Sequence, residues 1–303
     1  METIEQNEID TVEDDAPQVP AHKPFPNLPQ SWGLLGLFIL FSFGLGMLLA
    51  PLLLVTGKNT NTQIILLVLF YIGAFSLVFI YVKQKFTIQK EDFTLQFKKQ
   101  PLLVFFFLLI ITVLTAIIIK PISSSIPLPS FLNDMPDEVA MGAMEFSDVI
   151  FLLLIVIAAP VCEEILFRGV IMDGLLRNKM NPYFAVFWSS LLFAVMHLNP
   201  WQGVTAFILG TLLGWVYYKT RSLWACIFIH AVNNGYVMLM AYIVPESYTD
   251  RGFSGDDNYI VFYLGVVVVA AVLVLILNKI FDKEKMPQHK PNLYDSIKSD
   301  TNL

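Results

Sequence analysis

Two adjacent glutamates and an arginine, Glu163, Glu164 and Arg168, stand in the run PVCEEILFRG (160–169). The run is preceded by DVIFLLLIVIAA and followed by VIMDGLL. Burying charge in such surroundings is costly unless it is paired. An ionisable residue inside a long apolar segment therefore points first to function. The chain offers few others: Asp173, His197 and His230, with the amides Asn233 and Asn234 one turn beyond His230. The remaining histidines, His22 and His289, lie near the two ends. At about 100° per residue, Glu164 and Arg168 lie ~40° apart on one helix face, and Glu163 lies ~140° from Arg168. The arginine can neutralise Glu164 and leave Glu163 pointing elsewhere. A carboxylate left over in this way is a candidate general acid or base. His230 and Asn234 share a face at i,i+4 spacing, and so do Phe193 and His197.

Helices must carry these groups. Of the 303 residues, 56% are hydrophobic and 15% charged, and mean hydropathy is +0.64. The apolar residues come in blocks of about the 20 residues that cross a bilayer. We read about eight spans: 32–56, 62–82, 102–120, 148–170, 182–198, 202–218, 223–244 and 259–281. Lipid offers backbone groups no water, so the spans should be helices. The expected fold is an all-α integral membrane bundle. From the end marked by Arg177 and Lys179, Glu164 is ~21 Å deep at 1.5 Å per residue. With a cap at Asn181-Pro182, His197 is ~22 Å deep; counted from Ser222, His230 is ~12 Å and Asn234 ~18 Å deep. The groups can meet. A helix from 148 to 178 is longer than a span, so it must tilt, kink at Pro160 or break near Gly169.

Lysine and arginine gather after spans two, four and six (Lys83 to Lys99, Arg177 and Lys179, Lys219 and Arg221) and in the C-terminal tail. By the positive-inside tendency, both termini face the cytoplasm, in the cell membrane. The expected organisation is a disordered acidic cytoplasmic tail (1–31), three N-terminal spans (32–120) and an extracytoplasmic loop (121–147). Site-bearing helices (148–245), a last span (259–281) and a cytoplasmic tail (282–303) follow. The acidic start argues against a signal peptide. Cys162 and Cys226 both lie in spans, which argues against a disulfide framework. Nothing suggests nucleic-acid binding.

Three elements occur in order on separate spans: EEILFR (163–168), FAVMH (193–197) and HAVNN (230–234). Together they resemble the CPBP family of intramembrane endopeptidases, related to the CAAX prenyl protease 2 type and also called Abi. The resemblance covers roughly residues 148–240. It implies that Glu163 is the catalytic glutamate, that His197 helps it activate a water, and that His230 with Asn234 stabilises the oxyanion. The implied partners are the lipid bilayer and a membrane-associated peptide or protein substrate, CAAX-type or related. No cofactor is favoured; zinc held by Glu163, His197 and His230 is the alternative, since these residues match a three-ligand catalytic zinc site.

Plainer readings compete. Glu164 and Arg168 could be a structural pair joining helices, and the histidines could be interhelical hydrogen-bond donors. Asp173 reads as interfacial. Gly210 and Gly214 read as a small-xxx-small packing pattern. Cys162 adjoins Glu163 and Cys226 sits one turn before His230, so a thiol nucleophile is a further reading, although buried apolar thiols are usually inert. Two other classes stay in play. One is a non-catalytic bacteriocin-immunity or membrane scaffold. The other is a proton-coupled transporter, disfavoured by the lack of paired broken helices.

Overall fold

The computed structural model describes residues 23–56, 60–124, 149–243 and 257–283. Among them it forms eight helices and no strand. We label them α1 (Leu28–Thr56), α2 (Thr60–Gln89), α3 (Leu102–Ser124), α4 (Val149–Arg177), α5 (Pro182–Met196), α6 (Pro200–Thr220), α7 (Leu223–Ile243) and α8 (Asp257–Lys283). All but α5 and α6 are long and apolar enough to cross a membrane. The protein is thus an all-α, multi-pass integral membrane protein.

Of the eight helices, α5 and α6 are the two that are not both long and apolar enough to cross a membrane. Helix α5 has 15 residues, ~22 Å at the helical rise and short of ~30 Å of hydrocarbon. It starts as the sequence suggested: Asn181 accepts from the Tyr183 amide at 2.9 Å, with Pro182 in the first turn. It ends early because α6 has its own start signal. Asn199 caps α6 through the Trp201 amide at 3.0 Å, and Pro200 follows it. Leu198, at φ 54°, makes the reversal. The two helices form a hairpin packed at short range. A Cβ on Gly210 would lie 3.2 Å from Ser190 Cα, and one on Gly214 3.0 Å from Val186. The small-residue pattern packs α6 against α5.

Helix α4 neither breaks nor ends at Pro160. It continues through two π-helical stretches, Leu154–Ala158 and Ile165–Met172, which flank Ala159–Glu164. Pro160 has no N–H to offer the preceding turn, and a widened turn is a common way to absorb that loss. The second stretch contains Gly169, whose missing Cβ admits Leu95 and Leu223 at close range.

The positively charged segments gather at one end of the bundle. The backbone pairs Phe97 with Ser222, and the Leu223 amide donates to the Gln96 carbonyl at 2.8 Å. Arg177 donates to Glu91 Oε2 at 2.6 Å and to Asp173 Oδ2 at 3.1 Å. Arg221 reaches Asp173 Oδ1 at 2.9 Å. Lys219 pairs with Asp282 at 2.8 Å. The connections after α2, α4 and α6, the start of α1 and the end of α8 therefore share an end, as the loop charges require.

One expectation changes here. Residues 23–31 are not a disordered tail; residues 1–22 lie outside the described residues. Phe25 is buried, its amide donates to Glu91, and its carbonyl accepts from Arg177. The acidic residues of the tail end at Asp15, and Phe25, an aromatic anchor between two prolines, belongs to the packed part of the chain. Asp173 lies at the charged end, as expected of an interfacial residue, and is buried there because two arginines and the Tyr217 hydroxyl compensate it. The 121–147 loop lies outside the described residues beyond Ser124, as does the tail beyond Lys283.

Candidate active site

The second half of α4 meets α5, α6 and α7 around Phe193. The Phe193 ring lies 5.2 Å from Phe167, 5.0 Å from His197 and 5.5 Å from His230, centroid to centroid. The Arg168 guanidinium stacks over the same ring at 4.8 Å. An aromatic face stabilises a desolvated cation. Phe193 thus holds the charged and titratable groups in one apolar box.

Glu164 and Arg168 are both fully buried. Arg168 Nη1 donates to Glu164 Oε1 at 2.9 Å, and Nη2 donates to the Gly210 carbonyl at 3.0 Å. The close approach that Gly210 permits is what brings its carbonyl to the arginine. Glu164 Oε1 also meets His230 Nδ1 at 2.8 Å. An ionised carboxylate only accepts, so Nδ1 carries the proton in that bond. A carboxylate that fixes the tautomer of a histidine and turns its second nitrogen to the working side is a recurring catalytic device.

That second nitrogen, His230 Nε2, faces Glu163 Oε2 at 3.6 Å. The separation is longer than a direct hydrogen bond. Glu163 is buried, 6% exposed, and its other oxygen, Oε1, accepts a hydrogen bond from the Tyr71 hydroxyl of α2. The two glutamates therefore have separate surroundings. Glu164 is held by Arg168 and His230, while Glu163 stands between Tyr71 and His230. The angular argument from the sequence anticipated this division.

His197 caps the C-terminal end of α5, half-buried. Its Nδ1 lies 2.8 Å from the Phe193 carbonyl. A carbonyl only accepts, so Nδ1 carries the proton and Nε2 is the basic nitrogen. Phe193 thus sets both the orientation and the tautomer of His197.

Asn234 takes a different place from the one the resemblance implied. Its Nδ2 donates to the Ile155 carbonyl at 3.0 Å, and its Oδ1 accepts from Asn233 at 3.3 Å. The reason lies in α4. The Ala159 amide bonds back to Leu154, and the next residue, Pro160, has no amide proton. Ile155 is left without a helical donor, and Asn234 supplies one. To donate to an oxyanion, this amide would have to leave Ile155.

Cys226 is buried, with its sulfur 3.6 Å from the Leu213 carbonyl; Cys162 is half-buried. Among the described residues, no group of three His, Cys, Asp or Glu side chains is arranged to hold a metal ion. Glu163, His197 and His230 as they stand do not fit the zinc ligand set. Two contributors escaped the sequence reading. Tyr71 is not ionised near neutral pH, and its signal in the sequence is a hydroxyl amid the apolar run LLVLFYIGAF. The Gly210 carbonyl left no signal beyond the glycine.

A helical membrane bundle with a buried glutamate between a histidine and a tyrosine is the class that fold and site define. Residues 145–236 match the Rce1-like family model, described as type II CAAX prenyl endopeptidase Rce1-like. On that segment the chain is similar to this family. It is 28% identical over 138 residues to YdiL of Bacillus subtilis, named as a membrane peptidase; this covers 45% of the chain and 56% of that protein. It is 31% identical over 104 residues to the membrane-embedded CAAX protease MroQ of Staphylococcus aureus, covering 32% of the chain and 42% of that protein. The matches thus span about half the length of these relatives. No solved structure matches.

Proposed function

We propose that this protein is an intramembrane endopeptidase that hydrolyses a peptide bond of a membrane-associated substrate, CAAX-type or related. The observation that carries the reading is the pairing of Glu163 with His230 Nε2 while Arg168 and Glu164 fix that imidazole from behind. Glu163 is the base that takes a proton from the attacking water. His197, with its basic Nε2 turned away from Phe193, assists that transfer. His230, carrying a proton on Nε2 as well as on Nδ1, supplies the positive, hydrogen-bonding partner for charge developing on the scissile carbonyl, the usual need of acyl-transfer chemistry. Asn234 joins His230 in this role if its amide exchanges Ile155 for the substrate oxygen. This reading favours a reaction without a metal, with zinc held by Glu163, His197 and His230 as the alternative. Both termini face the cytoplasm, and substrate and water enter from that side.

The test is hydrolysis in proteoliposomes. Purified protein is mixed with fluorescent C-terminal peptides, prenylated and unprenylated, and products are read by mass spectrometry. Wild type should release a C-terminal fragment, and Glu163→Gln should not. Binding without cleavage by both proteins would favour the immunity-scaffold alternative. Proton-coupled uptake without cleavage would favour a transporter.

A further inference from the structure

Helix α2 lies outside the matched segment, yet it reaches the site at one point. It packs against Ala159–Glu164 of α4, and there the Tyr71 hydroxyl donates to Glu163 Oε1. We propose that Tyr71 is a positioning residue for the site: its phenol fixes the Glu163 carboxyl group so that Oε2, facing His230, is the oxygen that works as the base. The inference rests on the proteolytic reading above.

A glutamate side chain has several rotatable bonds, and ordering it costs conformational entropy. Nothing on α4 itself restrains Glu163. Arg168 is committed to Glu164 and Gly210, and His230 Nδ1 is committed to Glu164. The hydroxyl of Tyr71 is the donor that holds one oxygen and so decides which face of the carboxylate remains for chemistry. The donor is itself held. The Tyr71 ring packs on Phe75 at 5.1 Å, and Phe75 packs on Phe38 of α1 at 4.7 Å. Phe75 is fully buried. An aromatic ladder from α1 through α2 thus sets the position of the phenol, and a group locked by packing orients its partner better than a mobile one. This gives the N-terminal helices a part in the chemistry although they carry none of the three motifs.

A merely structural role is the rival, since a buried tyrosine hydroxyl needs some acceptor. The two differ in what a variant loses. Tyr71→Phe keeps the ring and its stacking and removes the donor. If Tyr71 acts through Glu163, kcat should fall on the order of 10–100-fold, the range seen when an orienting hydrogen-bond partner is removed, with KM and the melting temperature in detergent nearly unchanged. In a Glu163→Gln background the same substitution should produce no further loss in the residual rate, because groups that act as a unit are not additive. Incorporating 3-fluorotyrosine at position 71, which restores ring and hydroxyl, should return kcat to near wild type. A Tyr71→Phe protein with wild-type kcat, or one equally impaired in both backgrounds, overturns the inference while leaving the proteolytic reading intact. If Tyr71→Phe does not fold, the 3-fluorotyrosine protein decides against an unsubstituted control and a 3,5-difluorophenylalanine protein, which differs by lacking the hydroxyl. Wild type that is folded but cleaves no substrate overturns the proteolytic reading instead, and this inference with it.

Discussion

Asn234 of α7 donates its side-chain amide to the Ile155 carbonyl of α4 at 3.0 Å, the carbonyl that Pro160 deprives of a helical donor. One residue of the third motif therefore serves the backbone just ahead of the first.

This yields a prediction that separates structure from catalysis. Asn234→Ala leaves a buried carbonyl unpaired, a cost of about 1–3 kcal/mol, and the melting temperature should drop. Pro160→Ala restores an amide proton near Ile155. Added to Asn234→Ala, it should recover most of the lost stability. If activity returns as well, the amide acts only through α4. If stability returns without activity, Asn234 also meets the reacting oxygen. Melting curves and turnover of the two single variants and the double variant decide.

The fold was largely legible because lipid imposes helices wherever apolar runs are long enough. Legibility failed where a local signal outranked hydropathy. The pair Asn199 and Pro200 starts α6 early and cuts α5 short, and Phe25 anchors a proline-rich segment that follows the acidic residues. At the site, i,i+4 spacing correctly paired Glu164 with Arg168 and turned Glu163 away. The same arithmetic could not tell that His230 would bridge both glutamates, because that contact depends on how α7 packs on α4. Nor could it find Tyr71, which is 92 residues from Glu163 in sequence and neutral at working pH. The Asn234 bond was hidden because it answers a π-helical turn, and only the idea of a kink at Pro160 pointed toward it.

Metal dependence separates the two readings of Glu163. If Glu163 works on water without a metal, purified protein should contain substoichiometric zinc and keep its activity under strong chelation. Stoichiometric zinc whose removal abolishes activity, and whose return restores it, would reassign Glu163, His197 and His230 as ligands. Elemental analysis with a chelation and reconstitution series is the measurement.

The shared end formed by the loops after α2, α4 and α6 gives a sharp expectation for sidedness. A cysteine placed at Gln96, beside Leu223, should react with an impermeant thiol reagent from the cytoplasmic side. A cysteine at Ser124, at the far end of α3, should react from the opposite side. Labelling of both from one side would contradict α3 as a full span, and reversed labelling would turn the charged end outward.

The buried carboxylates should fail in different ways when neutralised. Glu163→Gln keeps the shape and loses the base, and it deletes a carboxylate whose partners are a neutral phenol and an imidazole 3.6 Å away. Folding and membrane level should be nearly unchanged, and proteolysis should fall at least ~10²–10⁴-fold, as expected for a lost general base. Glu164→Gln removes the counter-charge of a fully buried arginine and weakens the bond that sets the His230 tautomer. Breaking a buried pair costs roughly 3–5 kcal/mol, so protein level and activity should fall together. Cys162→Ser, one residue before Glu163, should be nearly silent. The three variants are compared at matched membrane level, by immunoblot and by turnover. An active Glu163→Gln protein would end the glutamate-base proposal. A dead but well-folded Cys162→Ser protein would move the chemistry to the thiol.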